Sequence, residues 1–599
     1  MTISPSADMS LAKQERDLRT SRRRSLMTLF STSSVPVRRG SVQGAQQFGL
    51  VDVEPDTQDT EENDSGSAKK GPEGGIAGSI PEDVIREIAT LLSIADVLNF
   101  SLTSTCLRRI LLPFLYDTVV LKSSRKCRIA LEMLGRQREI CKFVKKLAVR
   151  PNYYLSWPRP DEHLHEDWVV SKLESLAGDF ENMHTFDWDG LELPDDRLWE
   201  TLRLKCPKLK SVFTNVGTRP LDAGSKLFDF RDLTSFSLIV RHGLGGTGEL
   251  VVFSRLRSSL IPGDISPWPE LFPTLEALPP RFWDMVIQHC PNLEELAICS
   301  FSSSSRIFDF EPAMAGHWPK LHTLTLGSFG YQSDFMLGPP SDLHTLGEFL
   351  TKHTSLKYIR FLWNFKRWMS PETMVMNLGD TALPALDTYI GVYQQLAELP
   401  HPESVETLDL TCEPMYESRL DAVCLVLQRL TSLTSLDIWT HVSNPARDNT
   451  TFYRTLVESV PKLTDFHFMC TTGFPAKQLK QLIKQLHLLP DLRRFSLTKG
   501  HTLRDESMVD TALLILRYNP RLRQINVRWA KERCPNHLKQ EGSYDVVADA
   551  DGRPTSLVVL ERGIPLVGKP FTKRFKVEVR SMEGWRGKVR RAQSIGWLK

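Results

Sequence analysis

A short apolar frame, L-x-x-L-x-L, recurs along the second half of the sequence and limits the folds open to this chain. Successive copies that begin at Leu433, Leu463, Leu492 and Leu522 are spaced by 30, 29 and 30 residues. A fixed period of this length is typical of repeat architectures, in which each unit must stack on its neighbours to bury its apolar side. Other copies begin at Leu293, Leu321, Leu356 and Val405, with weaker ones at Val144, Met183, Leu209 and Leu233.

Each copy has the same local pattern. The second and third apolar positions of the frame alternate with polar residues, which predicts a short strand with one buried row. Proline follows several of the preceding helices, as at Pro461, Pro490 and Pro520, where it ends the helix and turns the chain toward its strand. The clearest of these helices are predicted at Arg281–His289, Leu420–Leu430, Phe452–Glu458, Lys477–Leu488 and Glu506–Arg517.

The pattern resembles the leucine-rich-repeat family in an irregular form. This resemblance implies an α/β solenoid with parallel strands on its concave face. The asparagine that the family carries three residues after the last leucine is absent, so the turns must be satisfied in another way. Gaps of 60 residues (Leu233 to Leu293) and 49 residues (Leu356 to Val405) predict inserted loops, near 243–264 and 364–383, or degenerate repeats.

The outward residues of the repeat strands are the candidate target-binding surface. They combine aromatic rings with arginines, a composition typical of protein-binding surfaces. The candidates are Tyr358, Arg360, Asp409, Asp437, Trp439, His467, Arg494, Asn526 and Arg528, with Glu295 and Thr325 in the same rows.

The segment from Ser79 to Tyr116 predicts three short helices. Ser79-Ile-Pro-Glu82 fits a capping box, and Val84, Ile85, Ile88, Leu91 and Leu92 follow at helical spacing. Ser93 can cap a second helix, Thr103 or Ser104 can cap a third, and Pro113 is expected to stop it. So small a module is expected to lend apolar surface to a partner or to the following domain.

This segment resembles an F-box. The resemblance implies a Skp-family adaptor as partner and, through it, a cullin scaffold, so the chain is predicted to be a substrate-recognition subunit of an SCF-type ubiquitin ligase. Ile80 replaces the family's usual leucine, and Leu107 stands where tryptophan is common. An alternative is a repeat scaffold that acts outside a cullin ligase. By matching position, the adaptor-facing residues are Ile80, Pro81, Ile85, Ile88, Val97 and Leu98.

These patterns predict four segments. Residues 1–77 form a disordered arm, because their composition buries too little apolar surface to offset chain entropy. Residues 78–121 form the F-box, 122–540 the solenoid, and 541–599 a hairpin cap with a basic tail. Within the arm, Ser25 and Ser41 follow arginines and are candidate phosphorylation sites, with a solvated charge run as the alternative.

Composition excludes several other classes. A formal net charge of +3 over 599 residues gives no electrostatic case for nucleic acid, although the basic C-terminal tail leaves that option open. We find no apolar run long enough to span a bilayer and no secretory signal, which predicts no membrane contact. The ten cysteines form no CxxC pair, as expected of buried thiols in the cytosol or nucleus.

Each candidate catalytic or cofactor motif in the sequence is incomplete, so the chain is predicted to be a non-enzyme without cofactor or metal. Gly243–Gly248 matches G-x-G-x-x-G, but a strand pattern follows where a dinucleotide site needs a helix. His163 and His165 lie among carboxylates without a second ligand cluster. Asp549 and Asp551 suggest a calcium loop, yet a hairpin turn at Gly552 fits the flanking strands better.

Overall fold

The structure is a computed structural model that describes residues 80–152, 163–240, 275–300, 307–309, 311–327, 329–330, 345–362, 376, 378–470, 474–500, 507–531, 534–563 and 571–579. The predicted disordered arm, Ser25, Ser41, the Gly243–Gly248 motif and the end of the basic tail lie outside these residues. The described chain divides into two compact units, with the boundary between Phe213 and Thr214.

The first unit begins with three helices, α1 (Glu82–Leu91), α2 (Ile94–Ser101) and α3 (Thr105–Tyr116). The two predicted internal caps are confirmed. The Ser93 hydroxyl accepts a hydrogen bond from the Asp96 amide at 3.2 Å, and the Ser104 hydroxyl accepts one from the Cys106 amide at 3.3 Å. Each cap satisfies an amide that the first helical turn leaves without a partner.

Two local predictions in this segment are wrong. The residue that precedes α1 is Pro81, which makes no side-chain cap, so the helix does not begin with the predicted capping box. Helix α3 also continues through Pro113 to Tyr116. Proline removes one helical hydrogen bond, but the turn beyond it packs Leu115 into the helical core, and this apolar burial offsets the loss.

The rest of the first unit alternates strands with helices. Parallel pairing runs from β1 to β2 to β3 to β4, with Val119 opposite Leu147 and Leu147 opposite Phe186. The predicted exit from the helical segment into a first strand is therefore confirmed. The elements are β1 (Thr118–Leu121), α4 (Ser124–Arg136), β2 (Lys146–Val149), α5 (Glu166–Leu176), β3 (Thr185–Trp188), α6 (Asp196–Lys205) and β4 (Ser211–Val216), within which the unit boundary falls.

The second unit continues the helix–strand alternation. Its strands are β5 (Ser235–Val240), β6 (Leu275–Glu276), β7 (Glu295–Ser300), β8 (Ile307–Asp309), β9 (Thr323–Gly327), β10 (Phe329–Gly330), β11 (Tyr358–Leu362), β12 (Thr388–Ile390), β13 (Thr407–Tyr416), β14 (Ser435–His441), β15 (Asp465–Cys470), β16 (Arg494–Gly500), β17 (Gln524–Lys531), β18 (Cys534–Ala548), β19 (Pro554–Gly563) and β20 (Phe571–Glu578). Strands β5, β7, β9 and β11 to β17 form an open parallel sheet in that order, while β6, β8 and β10 form a small separate sheet.

The predicted repeat helices are confirmed within a few residues at each end. Short helices and turns separate most of the strands, so the second unit is a leucine-rich-repeat stack of the α/β class. The helices are α7 (Pro280–Asp284), α8 (Thr345–Lys352), α9 (Tyr393–Leu396), α10 (Leu420–Arg429), α11 (Thr450–Glu458), α12 (Ala476–Gln485) and α13 (Met508–Tyr518).

The gap between Leu356 and Val405 contains a degenerate repeat that the frame did not reveal. Leu386, two residues before strand β12, and Tyr389 within it are buried where the frame has leucines. The Tyr389 hydroxyl donates to Gln395 Oε1 at 2.7 Å, and a Cβ at Gly391 would lie 2.5 Å from that hydroxyl. In the earlier gap, β5 pairs directly with β7, so the main sheet gains no strand there.

Serine and threonine hydroxyl groups make some of the turn hydrogen bonds that the family's asparagine, absent here, would make. Near the start of several strands, a serine or threonine donates a hydrogen bond to a main-chain carbonyl of the preceding repeat. The pairs are Ser355 to Leu321 (2.8 Å), Ser404 to Leu386 (2.8 Å), Thr434 to Glu406 (3.2 Å) and Thr464 to Thr434 (3.2 Å). The turns are thus satisfied from one repeat to the next, as their buried carbonyls require.

The C-terminal sheet differs from the prediction in two respects. Strands β18, β19 and β20 pair antiparallel and continue the sheet from the edge of β17, starting at Cys534, before the boundary predicted at 541. Residues 571–578, expected to be tail, form a strand. The turn at Gly552 is confirmed: its φ is 76°, and the Asp549 carboxylate accepts hydrogen bonds from the amides of Asp551 and Arg553.

A buried histidine joins two repeats of the second unit. His353 Nε2 accepts a hydrogen bond from the Trp318 amide at 3.0 Å, and its Nδ1 donates to the Phe349 carbonyl at 2.7 Å. This pairing requires the neutral ring. Burial lowers the pKa of His353 from 6.5 to about 4, and the nearby charges of His317 and Lys352 act in the same direction.

The free energy of unfolding is therefore expected to fall as the pH drops from 6.5 toward 4. The unfolded chain binds the proton near pH 6.5 while the folded chain does not, so each pH unit removes about 1.4 kcal/mol, or about 3 kcal/mol in total. Denaturant unfolding at several pH values measures this loss. His353→Gln is expected to flatten the dependence over this pH range.

Candidate partner-binding surfaces

Helix α1 presents an exposed apolar row. Val84, Ile88 and Leu91 are 47%, 37% and 81% exposed and lie at positions i, i+4 and i+7, which place them on one face of the helix. Leu102, just after α2, is also largely exposed. A row of large exposed apolar side chains on one helix face is a candidate partner-binding surface.

The opposite side of α1 is internal. Ile85 and Val97 are 1% and 2% exposed and pack with Leu107, Ile110 and Leu111 in the core of the three helices. The prediction that Ile85 and Val97 face a partner is therefore wrong, because three short helices need these side chains to form a core at all. Ile80 and Leu98 pack partly against the same core, and Pro81 and Ile88 are exposed.

The apolar row was only partly predicted from the sequence. Positions 84, 88 and 91 form one helical stripe and positions 85, 89 and 92 form the adjacent one, and both are apolar. Helical periodicity identifies both stripes but does not say which one is covered. Val84 and Leu91 were missed for this reason.

The second surface is the polar strand face, which we define as the side chains that alternate with the buried rows of β11 to β17. The parallel register aligns five predicted target-binding residues in one central row across this face. In order along the sheet they are Arg360, Asp409, Asp437, His467 and Asn526, with Ile390 and Ser496 in the intervening strands.

Two neighbouring carboxylates at the middle of the central row repel each other. Asp409 and Asp437 are direct register partners. Burial raises the pKa of Asp409, and the neighbouring Asp437 charge raises it further, while hydrogen bonds from the amide (2.8 Å) and hydroxyl (2.6 Å) of Thr411 oppose the change. A cationic group of a partner would relieve this repulsion.

His467 lies between Asp437 and Thr498. Its Nδ1 is 3.5 Å from Asp437 Oδ2, and its Nε2 is 2.9 Å from Thr498 Oγ1. This order of groups resembles a hydroxyl–imidazole–carboxylate catalytic triad. The Thr498 side chain is 1% exposed, however, so a substrate has no access to its hydroxyl. The contacts hold β14, β15 and β16 together.

The remaining predicted residues flank the central row. Trp439 and Arg528 lie two positions further along their strands, in the row that also contains Met469 and Thr498. Tyr358 and Arg494 lie in the row on the other side, where Arg494 pairs with Asp465. Trp439 and Arg528 are half-buried and Arg494 is exposed, so their side chains can contact a partner.

The segment around His163 and His165, which was weighed above as a metal site, contains a carboxylate with a structural role. Glu166, near the two histidines, accepts hydrogen bonds from the Leu191 and Glu192 amides at 2.7 and 3.1 Å and so anchors a loop. Among the described residues, we find no group of three His, Cys, Asp or Glu side chains placed to hold a metal ion. In the same residues, no helix is long and apolar enough to cross a membrane.

Buried thiols of this chain are poor nucleophiles. All nine cysteines whose side chains the structure describes are free, and most are buried. Burial raises the pKa of Cys127 and Cys206 to about 12, so these thiols stay protonated at neutral pH. Their role is packing, as the scattered cysteine pattern predicted.

Comparison with known families shows a match to the F-box domain over residues 78–113. A comparison with curated proteins gives no significant match. Among solved structures, the chain is similar to the yeast Rad7–Elc1 complex structure, with 11% identity, a TM-score of 0.36, and coverage of 71% of this chain and 90% of that one.

Two other solved structures show a weaker likeness. The functional domain of InlJ from Listeria monocytogenes is 12% identical with a TM-score of 0.21, covering 55% of this chain and 54% of that one. The TLR13–ssRNA13 complex is 11% identical with a TM-score of 0.21, covering 63% and 53%. All these TM-scores are low, so the repeat fold rests on the strands, helices and turns described above. The match over residues 78–113 shows that the chain contains an F-box domain, which is followed by the helix–strand repeats described above.

Proposed function

We propose that this chain is the substrate-recognition subunit of an SCF-type ubiquitin ligase. The F-box would bind a Skp-family adaptor, and through it a cullin scaffold, while the polar strand face would bind a target protein. The observation that carries the proposal is the exposed apolar row of Val84, Ile88 and Leu91 on the first helix of an F-box domain.

The apolar row supports adaptor binding on energetic grounds. Burial of a leucine or valine side chain contributes about 1.5–3 kcal/mol, so three such side chains supply a useful part of the binding energy of a stable complex. Exposed side chains of this kind lower the solubility of a free chain, and a constitutive partner removes that cost.

The proposed target surface consists of Tyr358, Arg360, Asp409, Asp437, Trp439, His467, Arg494, Asn526 and Arg528. Their alignment in adjacent rows of one sheet supports a continuous interface. Since His467 is almost fully buried, we assign direct contact mainly to Trp439, Arg494 and Arg528, and to His467 a role in fixing Asp437.

The proposed mechanism is tethering without catalysis by this chain. A target held on the strand face has its lysines at a raised local concentration near the ubiquitin thioester carried by a conjugating enzyme. Such a subunit needs no catalytic residue, cofactor or metal, and it would act in the cytosol or nucleus, where these ligases operate.

Reconstitution tests the proposal. The full chain, mixed with a purified Skp-family adaptor, is expected to elute as a 1:1 complex by size-exclusion chromatography with light scattering, and the complex is expected to bind a cullin N-terminal domain. Elution of the chain and the adaptor as separate species would contradict the proposal. Adaptor binding without cullin binding would favour a scaffold that acts outside a cullin ligase.

A further inference from the structure

Strand β20 closes the C-terminal antiparallel sheet and leaves one long edge open. It pairs with β19 on one side, and within the described residues no other strand pairs with it. The free edge of a sheet presents backbone amides and carbonyls to which an extended segment can add as a further strand. The open edge of β20 is therefore a docking surface of known hydrogen-bonding chemistry.

The register of β20 identifies the residues whose backbone groups face this open edge. The Val579 amide donates a hydrogen bond to the Thr555 carbonyl at 2.8 Å. Hydrogen-bonded pairs alternate along an antiparallel ladder, so residues 577, 575, 573 and 571 also direct their backbone groups to β19. The amides and carbonyls of residues 572, 574, 576 and 578 point the other way, toward the open edge.

The side chains of β20 differ between the two faces of the strand. Arg574 and Lys576 are exposed on one face. Phe575 and Val577 alternate with them on the other face, where Phe575 is half-buried and Val577 is buried. A strand that adds to this edge would therefore match β20 best with acidic residues on one face and apolar residues on the other.

The charge of β20 opposes pairing with a second copy of the same strand. The strand contains Lys573, Arg574 and Lys576 and one carboxylate, Glu578. Two such strands side by side would place cations next to each other, which destabilises a sheet, and lysines on natural edge strands block this kind of pairing. The same charges attract an acidic segment, so charge complementarity selects an acidic occupant.

The N-terminal arm contains a segment with this alternation, outside the described residues. Residues 50–56 read Leu-Val-Asp-Val-Glu-Pro-Asp, with carboxylates at positions 52, 54 and 56 and apolar residues at 51, 53 and 55. From residue 40 to residue 68 the sequence has seven carboxylates and no lysine or arginine. The 24 residues from 57 to 80 extend to at most about 80 Å, so the segment can reach surfaces beyond the F-box.

One antiparallel register satisfies the charges, the apolar positions and the proline together. Its pairs are Asp52 with Lys576, Val53 with Phe575 and Glu54 with Arg574. Pro55 then lies opposite Lys573, whose backbone groups pair with β19. Because Pro55 would direct its nitrogen away from β20, its missing amide hydrogen removes no hydrogen bond from the new pair.

We propose that residues 51–54 of the N-terminal arm add to the open edge of β20 of the same chain as an antiparallel strand, with Asp52 beside Lys576 and Glu54 beside Arg574. The contact does not depend on the proposed function. It would bring the arm to the border of the proposed target surface, because the register continues the central row from Asn526 through Ser543 and Leu560 to Arg574.

Hydrogen exchange at single-residue resolution in the full chain tests this contact. The amides of residues 573, 575 and 577 pair with β19, so they are expected to stay protected in every variant and to report that β20 remains folded. The amides of Arg574 and Lys576 face the open edge and are protected by the docked arm. Asp52→Lys/Glu54→Lys is expected to speed their exchange at least about tenfold, because it replaces two attractive cross-strand pairs with repulsive ones.

Two further variants make the test specific to these pairs. Asp59→Lys/Glu61→Lys carries the same change in charge outside the alternating segment, and exchange of the Arg574 and Lys576 amides is expected to stay within about twofold of the wild type. Arg574→Glu/Lys576→Glu is expected to lose the protection. Its combination with Asp52→Lys/Glu54→Lys, which swaps the charges across the pair, is expected to restore it.

The proposal is overturned if the Arg574 and Lys576 amides exchange at the same rate in the wild type and in Asp52→Lys/Glu54→Lys. It is also overturned if their protection in the wild type falls on tenfold dilution of the chain, since a second copy would then cover the edge. All these variants are expected to bind the Skp-family adaptor as the wild type does, so a failure here leaves the proposed function standing, and loss of adaptor binding by the wild type leaves this contact standing.

Discussion

Replacement of Val84 and Leu91 by aspartate is expected to lower the affinity of the full chain for a Skp-family adaptor by more than about 100-fold. Both side chains stand on the exposed row of α1, where a partner would bury them. An aspartate in such an interface must lose its hydration without a matching donor, and each truncated anchor removes its own share of apolar burial. Isothermal titration of the purified chain with the adaptor measures the change.

The matched control is Leu204→Asp. Leu204 on α6 is 65% exposed, an apolar position of similar exposure in the same unit but outside the F-box, so its change should leave the affinity intact. Ile85→Asp serves as the opposite control, because it places a charge in the F-box core and should unfold these helices. Retention of full affinity by Val84→Asp/Leu91→Asp would exclude this row as the adaptor-binding surface.

Gln478→Leu is expected to destabilise the packing between two C-terminal repeats by about 4 kcal/mol. The Gln478 side chain, which is fully buried, accepts hydrogen bonds from the Tyr453 hydroxyl (2.9 Å) and the Asn449 amide (3.2 Å). Its Nε2 donates to the carbonyls of Pro445 and Arg447 at 2.7 and 2.8 Å. Leucine fills a similar volume but leaves these four groups without their partner, and each such loss costs about 1–3 kcal/mol.

Hydrogen exchange measures this effect locally. The free energy of opening, derived from amide exchange in residues 445–453 and 478–486, should fall in Gln478→Leu and change by less than about 0.5 kcal/mol in Gln485→Leu. Gln485 lies at the end of the same helix, where its amide makes only a long contact of 3.4 Å with the Gln481 carbonyl. Equal protection in the two variants would show that the buried amide does not hold these repeats together.

Much of the fold followed from local patterns. The 30-residue period, the prolines after the helices and the caps at Ser93 and Ser104 predicted the repeat stack and two of the three F-box helices with their starts. The repeat at β12 was not predicted, because Tyr389 and Gly391 stand where the frame has leucines. The buried tyrosine is stabilised there because its hydroxyl donates a hydrogen bond to Gln395. Strand β20 was not predicted, because its exposed charged residues resemble those of a solvated tail.

The candidate site was predicted less completely. The alternation of polar and apolar residues placed the target-binding candidates on one face of the strands, and the parallel register then brought Asp409, Asp437 and His467 into adjacent positions. The open edge of β20 had no signal in the sequence, because the pairing of β19 with β20 decides which backbone groups of that strand face away from the sheet.

The sequence by itself determined the properties that depend on neighbours along the chain: the repeat period, the ends of the helices, the alternation within strands and the F-box order of signals. Only the tertiary structure decided which of the two apolar stripes on α1 is buried, because both fit a helix and the choice depends on where α2 and α3 pack. The same holds for Gln478 and Gln394, two polar side chains of one type. One is satisfied by four groups from the preceding repeat, whereas no group in the described residues donates to the Oε1 atom of the other, a difference set by contacts between residues distant in sequence.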